Sequence, residues 1–223
     1  MTFQQAINQY PSLRTLYSKM ELQTPMARTL LLQTPLTKSQ QWIEQQWQQT
    51  TECQNHLSNL NLQTSQRFFM HLSTIHDISG SLKLLQQNQI LDDIALFEIK
   101  AFAINIKKLN KDFTSPLFPM PDLQEVINIL DPEKTESMQS YIYSAYSQEL
   151  SQIRKEFQQA KNEENEQKAH SLYVKSQQIE NTIREQLGIK LFPYIPALLN
   201  AIKTIANIDL SFAKAKLSNH YNL

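Results

Sequence analysis

Residues 145–183 read AYSQELSQIRKEFQQAKNEENEQKAHSLYVKSQQIENTI, and the fold is decided here. Tyr146, Leu150, Ile153, Phe157 and Ala160 alternate spacings of four and three, which places them along one seam of a helix that packs against a neighbour. Ala169, Leu172, Ser176, Ile179 and Ile183 make a second seam, out of phase with the first. Between the seams, Lys161 to Lys168 is wholly polar, with Asn162, Glu163, Glu164, Asn165 and Glu166 in its middle. Two antiparallel helices joined at a polar tip satisfy both seams, each arm about 25–30 Å long at 1.5 Å per residue. Glycine and proline are missing from the tip, so one long helix with a phase slip is the alternative.

Working outward, the remaining chain also reads as helix. Thr24-Pro25 predicts an N-cap followed by proline in the first turn. Thr37 is expected to cap the next helix, in which Trp42, Ile43, Trp47 and Leu57 suggest one buried stripe. From Ile90 to Leu109 apolar residues follow two lines, Ile90, Ile94, Phe97, Ala101, Ile104 and Ile99, Phe102, Ile106, Leu109. A helix apolar on two sides is expected inside a bundle. Pro116, Pro119 and Pro121 mark Thr114 to Asp122 as a connector, and Asp131-Pro132 ends a short helix. Met138 to Tyr143 is the best strand candidate, because Tyr141, Ile142 and Tyr143 carry β propensity. Pro193 and Pro196 interrupt the path to a last helix, Ala197 to about Leu217. The expected fold is all-α, a multi-helix bundle with a protruding antiparallel helical arm and at most one short β hairpin.

The chain has 223 residues, 41% of them hydrophobic and 19% charged, with 21 basic residues against 21 acidic. That composition is globular, and the balanced charge does not advertise a phosphate-binding surface. Two glycines, Gly80 and Gly188, cannot supply the Gly-rich turn and following Lys of a P-loop, so this chain is not expected to hydrolyse ATP that way. Cys53 is the only cysteine, which leaves no disulfide framework and suits a reducing compartment. Without a basic-then-apolar leader or an apolar run near 18 residues, the expectation is a cytoplasmic protein with no membrane contact.

Several segments, in order, carry a family resemblance. Met20-Glu21-Leu22-Gln23-Thr24-Pro25-Met26-Ala27-Arg28-Thr29-Leu30-Leu31 leads into Thr34-Pro35-Leu36, and Ile75-His76-Asp77-Ile78 follows. Leu130-Asp131-Pro132 precedes Ala145-Tyr146-Ser147-Gln148-Glu149-Leu150-Ser151-Gln152-Ile153-Arg154, and Ile205-Ala206-Asn207-Ile208-Asp209-Leu210-Ser211-Phe212-Ala213 lies near the end. The set resembles the core and lever region of MutS-family DNA mismatch repair proteins. The resemblance implies a core bundle over 1–143, a helical arm over 144–190 and a lever helix over 191–223 that returns to the core. It further implies a non-catalytic module that couples the nucleotide state of an ATPase domain to DNA engagement. This chain would bind no cofactor, whereas its longer parent would use ATP and Mg. Implied partners are double-stranded DNA, weakly for this chain alone, the chain's own ATPase domain, and a second copy in a full-length homodimer. The family's ATPase would begin after Leu223, so the chain is expected to be part of a longer protein. Two departures stand out: the space between Ala160 and Ala169 cannot hold the family's clamp domain, and no Phe has Glu two residues later, as the mismatch wedge requires.

Candidate sites are few. Arg154, Lys155, Lys161 and Lys168 would face DNA phosphates, yet they alternate with Glu149, Glu156, Glu163, Glu164 and Glu166, which favours a solvated hairpin. Trp42, Trp47, Tyr141 and Tyr143 would stack on bases, but at helical or strand spacing they read first as core. His71, His76 and Asp77 lack the i, i+4 spacing of paired metal ligands, and structural histidines are the plainer reading. Cys53 reads as an inert buried thiol, and Arg28 and Asp209 as motif positions with structural roles. Two rivals remain: a helical scaffold for a protein partner, and a MutS relative acting on recombination intermediates or stalled ribosomes.

Overall fold

Thr24 holds an extended backbone, its hydroxyl accepts from the Ala27 N–H at 3.2 Å, and Pro25 opens the helix behind it. The same local chemistry recurs down the chain, with Thr2, Ser39, Asn61, Ser147 and Asn165 each satisfying an otherwise orphaned N–H at a helix start. The computed structural model describes residues 1–135 and 142–221. Among them lie α1 (Phe3–Gln9), α2 (Pro11–Ser18), α3 (Pro25–Gln33), α4 (Gln40–Asn59), α5 (Leu62–Ser73) and α6 (Ser79–Gln86). They are followed by α7 (Asp93–Asp112), α8 (Gln124–Leu130), α9 (Gln148–Asn162), α10 (Glu166–Leu191) and α11 (Ile195–Tyr221). Helix takes 77% of the described residues, and no sheet forms among them. The fold is an all-α multi-helix bundle, as the periodicities predict.

The chain folds as two compact units, one of residues 1–77, 105–121 and 198–223, the other of residues 78–104 and 122–197. In the first, Ala27, Leu31 and Leu210 are buried together, with Phe3, Tyr17, Met20, Leu22 and Leu30 packed against them. A second focus of the same unit is aromatic: Phe68, Phe113 and Phe212 meet with ring centroids 4.7–6.1 Å apart, mostly edge to face.

In the second unit α9 and α10 pair as an antiparallel hairpin. Leu150, Ile153 and Ala160 of the first seam and Ser176 and Ile183 of the second are buried, Phe157, Ala169, Leu172 and Ile179 are half-buried, and α10 buries Leu187 and Leu191 beyond its seam. The tip is a turn rather than a continuous helix. Glu164 adopts φ 55°, its N–H donates to the Lys161 carbonyl, and the Asn165 N–H reaches back to Ala160 at 2.9 Å. This is a left-handed C-terminal stop made without glycine.

Several local expectations need correction. The cap of α4 is Ser39, while Thr37 accepts from the Ser39 N–H instead. The inward face of α4 carries Gln49 and Cys53, whereas Trp42 is 38% and Trp47 71% exposed. The Ile90–Leu109 reading starts too early, because α7 begins at Asp93, and Ile90 and Ile94 stay exposed while Ile99, Phe102, Ile106 and Leu109 are buried. Pro196 lies inside the first turn of α11, where its missing N–H costs nothing, and the helix runs four residues past Leu217 to Tyr221. Of the Met138–Tyr143 strand candidate, 138–141 lie outside the described residues; Ile142 and Tyr143 are buried and not in a strand.

Candidate functional site

Asp209 on α11 is 1% exposed. Its carboxylate accepts from the Gln23 N–H at 3.1 Å and from both the N–H and the hydroxyl of Thr24 at 2.7 Å. The carboxylate therefore closes the N-terminal end of α3, where unpaired N–H groups and the helix dipole favour negative charge. Burial pushes the Asp209 carboxyl above its ordinary range, and the hydrogen bonds from Gln23 and Thr24 oppose that shift. Nearby, Lys216 pairs with Glu21 at 3.0 Å while its ammonium lies 3.6 Å from the Phe69 ring centroid. Arg28, the other motif position, is exposed.

The charges of the second unit are arranged differently from a phosphate-binding stripe. Arg154 donates to Glu180 at 2.8 Å and to the Ser144 hydroxyl at 2.9 Å. Glu180, 7% exposed, also accepts from Ser176 and Gln177 at 3.1 Å each. Arg184 extends the network, donating to Asp93 at 2.6 Å and lying 3.5 Å from Glu180. The Asp93 hydrogen bond holds the Arg184 guanidinium above its already high range, against a desolvation penalty. Arg154 is thus part of the α9–α10 packing. Lys155, Lys161 and Lys168 are exposed, with the Lys161 ammonium 4.9 Å from the Phe157 ring centroid, and Glu163, Glu164 and Glu166 are exposed around them.

The remaining candidates do not converge. His71 contacts Asp112 at 2.9 Å, which Arg67 also holds at 2.9 Å, while His76 and Asp77 are exposed. Among the described residues no group of three His, Cys, Asp or Glu is placed to hold a metal ion. Cys53 is fully buried, and burial drives its thiol far above the ordinary range. Tyr143 is 2% exposed and Tyr141 lies outside the described residues. Among the described residues no helix is long and apolar enough to cross a membrane.

Buried Lys100 and half-buried His56 are among the groups that escaped the sequence reading. Lys100, 2% exposed, donates to the Tyr143 hydroxyl at 2.7 Å; burial lowers its amine and the Asp131 charge opposes this. His56 lies among Phe68, Phe113 and Phe212, with ring centroids 6.0, 4.8 and 5.8 Å away. Lys100 was legible in one respect: it sits mid-helix between Ile99 and Phe102, Ala103 and Ile104, all of which are buried. Nothing in the sequence around His56 marks its aromatic neighbours, which come from α5, α11 and the residue that follows α7.

No family model matches the chain, and no curated protein matches it in sequence.

Proposed function

We propose that the chain is the non-catalytic core and lever module of a MutS-like DNA-binding ATPase. In this reading it passes the nucleotide state of an ATPase domain, carried elsewhere in a longer protein, to the parts that engage duplex DNA. The observation that carries it is the bond between Thr24 and Asp209. These residues belong to two of the segments that resemble MutS, lie 185 positions apart, and meet through a buried carboxylate. Arg154, from the segment that resembles the start of the MutS arm, likewise ties α9 to α10. Motif residues used for internal bonding suit a transmitting element, since packed helices shift as rigid bodies. ATP and Mg would belong to the ATPase domain, and pairing of two full-length copies would supply the DNA grip through effective concentration.

The test is a titration of labelled homoduplex and mismatched duplex at low and physiological salt. The chain alone should bind weakly, lose binding steeply with salt and prefer neither duplex. Tight, mismatch-selective binding by residues 1–223 would overturn the reading, and absence of binding by the dimeric full-length protein would replace it with a scaffold.

A further inference from the structure

A cleft of about 210 Å³ opens in the first unit, bordered by α1, the end of α3, α4 and α11. Its wall is apolar, formed by Phe3, Leu31, Leu36, Trp42 and Leu210. Leu36 is 49% and Trp42 38% exposed, so the cleft is open to solvent and its largest apolar surfaces are only partly covered. Lys214 enters from α11 and is the only ionisable side chain among the lining residues. Its ammonium donates to the Gln46 side-chain carbonyl at 2.6 Å. Burial alone brings the Lys214 amine down to about 8, with no neighbouring carboxylate offsetting the shift. The amine is therefore still largely a cation at neutral pH, with one amide where a counter-ion would ordinarily sit.

An ammonium has three donors, and a hydrogen-bonded anion in a half-dry setting is a stronger partner than a neutral acceptor. Phosphate monoesters are multiply charged and call for several donors, whereas one ammonium matches one carboxylate. The apolar wall demands a non-polar tail, and the volume lies below that of drug-sized sites. We propose that this cleft binds a small amphipathic carboxylate, its tail against Phe3, Leu36 and Trp42 and its carboxylate on Lys214. The site is independent of the DNA-coupling role.

The chain has two tryptophans, so Trp47→Phe leaves Trp42 as the sole reporter inside the cleft. Titration of that variant with octanoate should change Trp42 emission saturably, and octanol should bind roughly tenfold more weakly. Lys214→Met should erase that preference while circular dichroism stays unchanged. A second arm varies the pH. Raising the pH from 7 to 9 should weaken octanoate and leave octanol alone, and the same pH change should do nothing in Lys214→Met, which separates the effect from the Met1 amino group beside Leu36, since the other lining residues bring no titratable side chain into the cleft. Absence of saturable octanoate binding, equal affinity for octanol, or octanoate binding that ignores pH would each overturn the proposal.

Discussion

Asp209 holds Thr24 by two hydrogen bonds of 2.7 Å, one to the backbone and one to the hydroxyl, so a single carboxylate anchors the start of α3 to α11. Removing it strands two buried donors on Thr24. Asp209→Ala should cost roughly 3 kcal/mol in urea unfolding, and Thr24→Ala about 1 kcal/mol or slightly more through the lost cap and hydroxyl. The double variant should lose less than the sum, since both changes sever one contact. Strict additivity would mean that the clasp contributes nothing of its own.

Arg154 and Glu180 meet across the α9–α10 seam, with the arginine side chain 31% exposed. Glu180→Ala leaves Arg154 and Arg184 facing each other without their shared acceptor, and a loss of about 1–3 kcal/mol is expected after allowing for that exposure. Arg154→Met combined with Glu180→Leu should recover much of the loss, because apolar side chains suit the seam. In the same proteins, DNA affinity should follow Lys155→Glu and Lys161→Glu rather than Arg154→Met. A dominant effect at Arg154 in a filter-binding assay would reverse that assignment.

His56 Nε2 is buried without a hydrogen-bond partner among the described residues, and burial lowers the pKa below 6.5, against the raising influence of Glu52 and Asp112. Below pH 6.5 the unfolded chain therefore takes up a proton that the folded chain resists. Stability should fall as pH drops from about 6.5 toward the folded-state value, and be insensitive to this group at higher pH. His56→Leu should flatten the slope in urea midpoints measured between pH 5 and 7. An unchanged slope would move the acid sensitivity elsewhere.

Cys53 is enclosed in the fold and its thiol is held protonated by burial. Native protein at pH 8 should label with a maleimide at least a hundredfold more slowly than protein in urea, since only the exposed thiolate reacts. Prompt labelling of the native state would show that α4 opens locally.

The arm hairpin and the Thr24 start of α3 were legible because each rests on local rules: seam spacing for one, a capping hydroxyl followed by proline for the other. Helix α4 misled for a physical reason. Its inner side mixes the two kinds of contact: Gln46 bonds Lys214 and Gln54 bonds Ser218 and Asn219 on α11, while His56 lies against Phe212 and Cys53 is fully buried, and both tryptophans are left partly exposed. A hydrophobic stripe identifies the buried face only when polar residues on the other faces find no partners across the interface. Ile90 was misplaced because helical spacing was extended across residues that precede the helix. The partners of Asp209, His56 and Lys100 come from distant segments, and no window along the chain contains them.

The tip of the α9–α10 hairpin puts its strain and its charge in the same place, with Glu164 in a left-handed conformation and every residue from Lys161 to Lys168 exposed. The buried seam ends at Ala160 on one side and resumes at the half-buried Ala169 on the other. Extra chain spliced at Glu164 would displace no core residue and would relieve the strained backbone. The hairpin is accordingly a mounting post: a foreign domain with neighbouring termini, grafted there, would be carried on two helices that already hold each other.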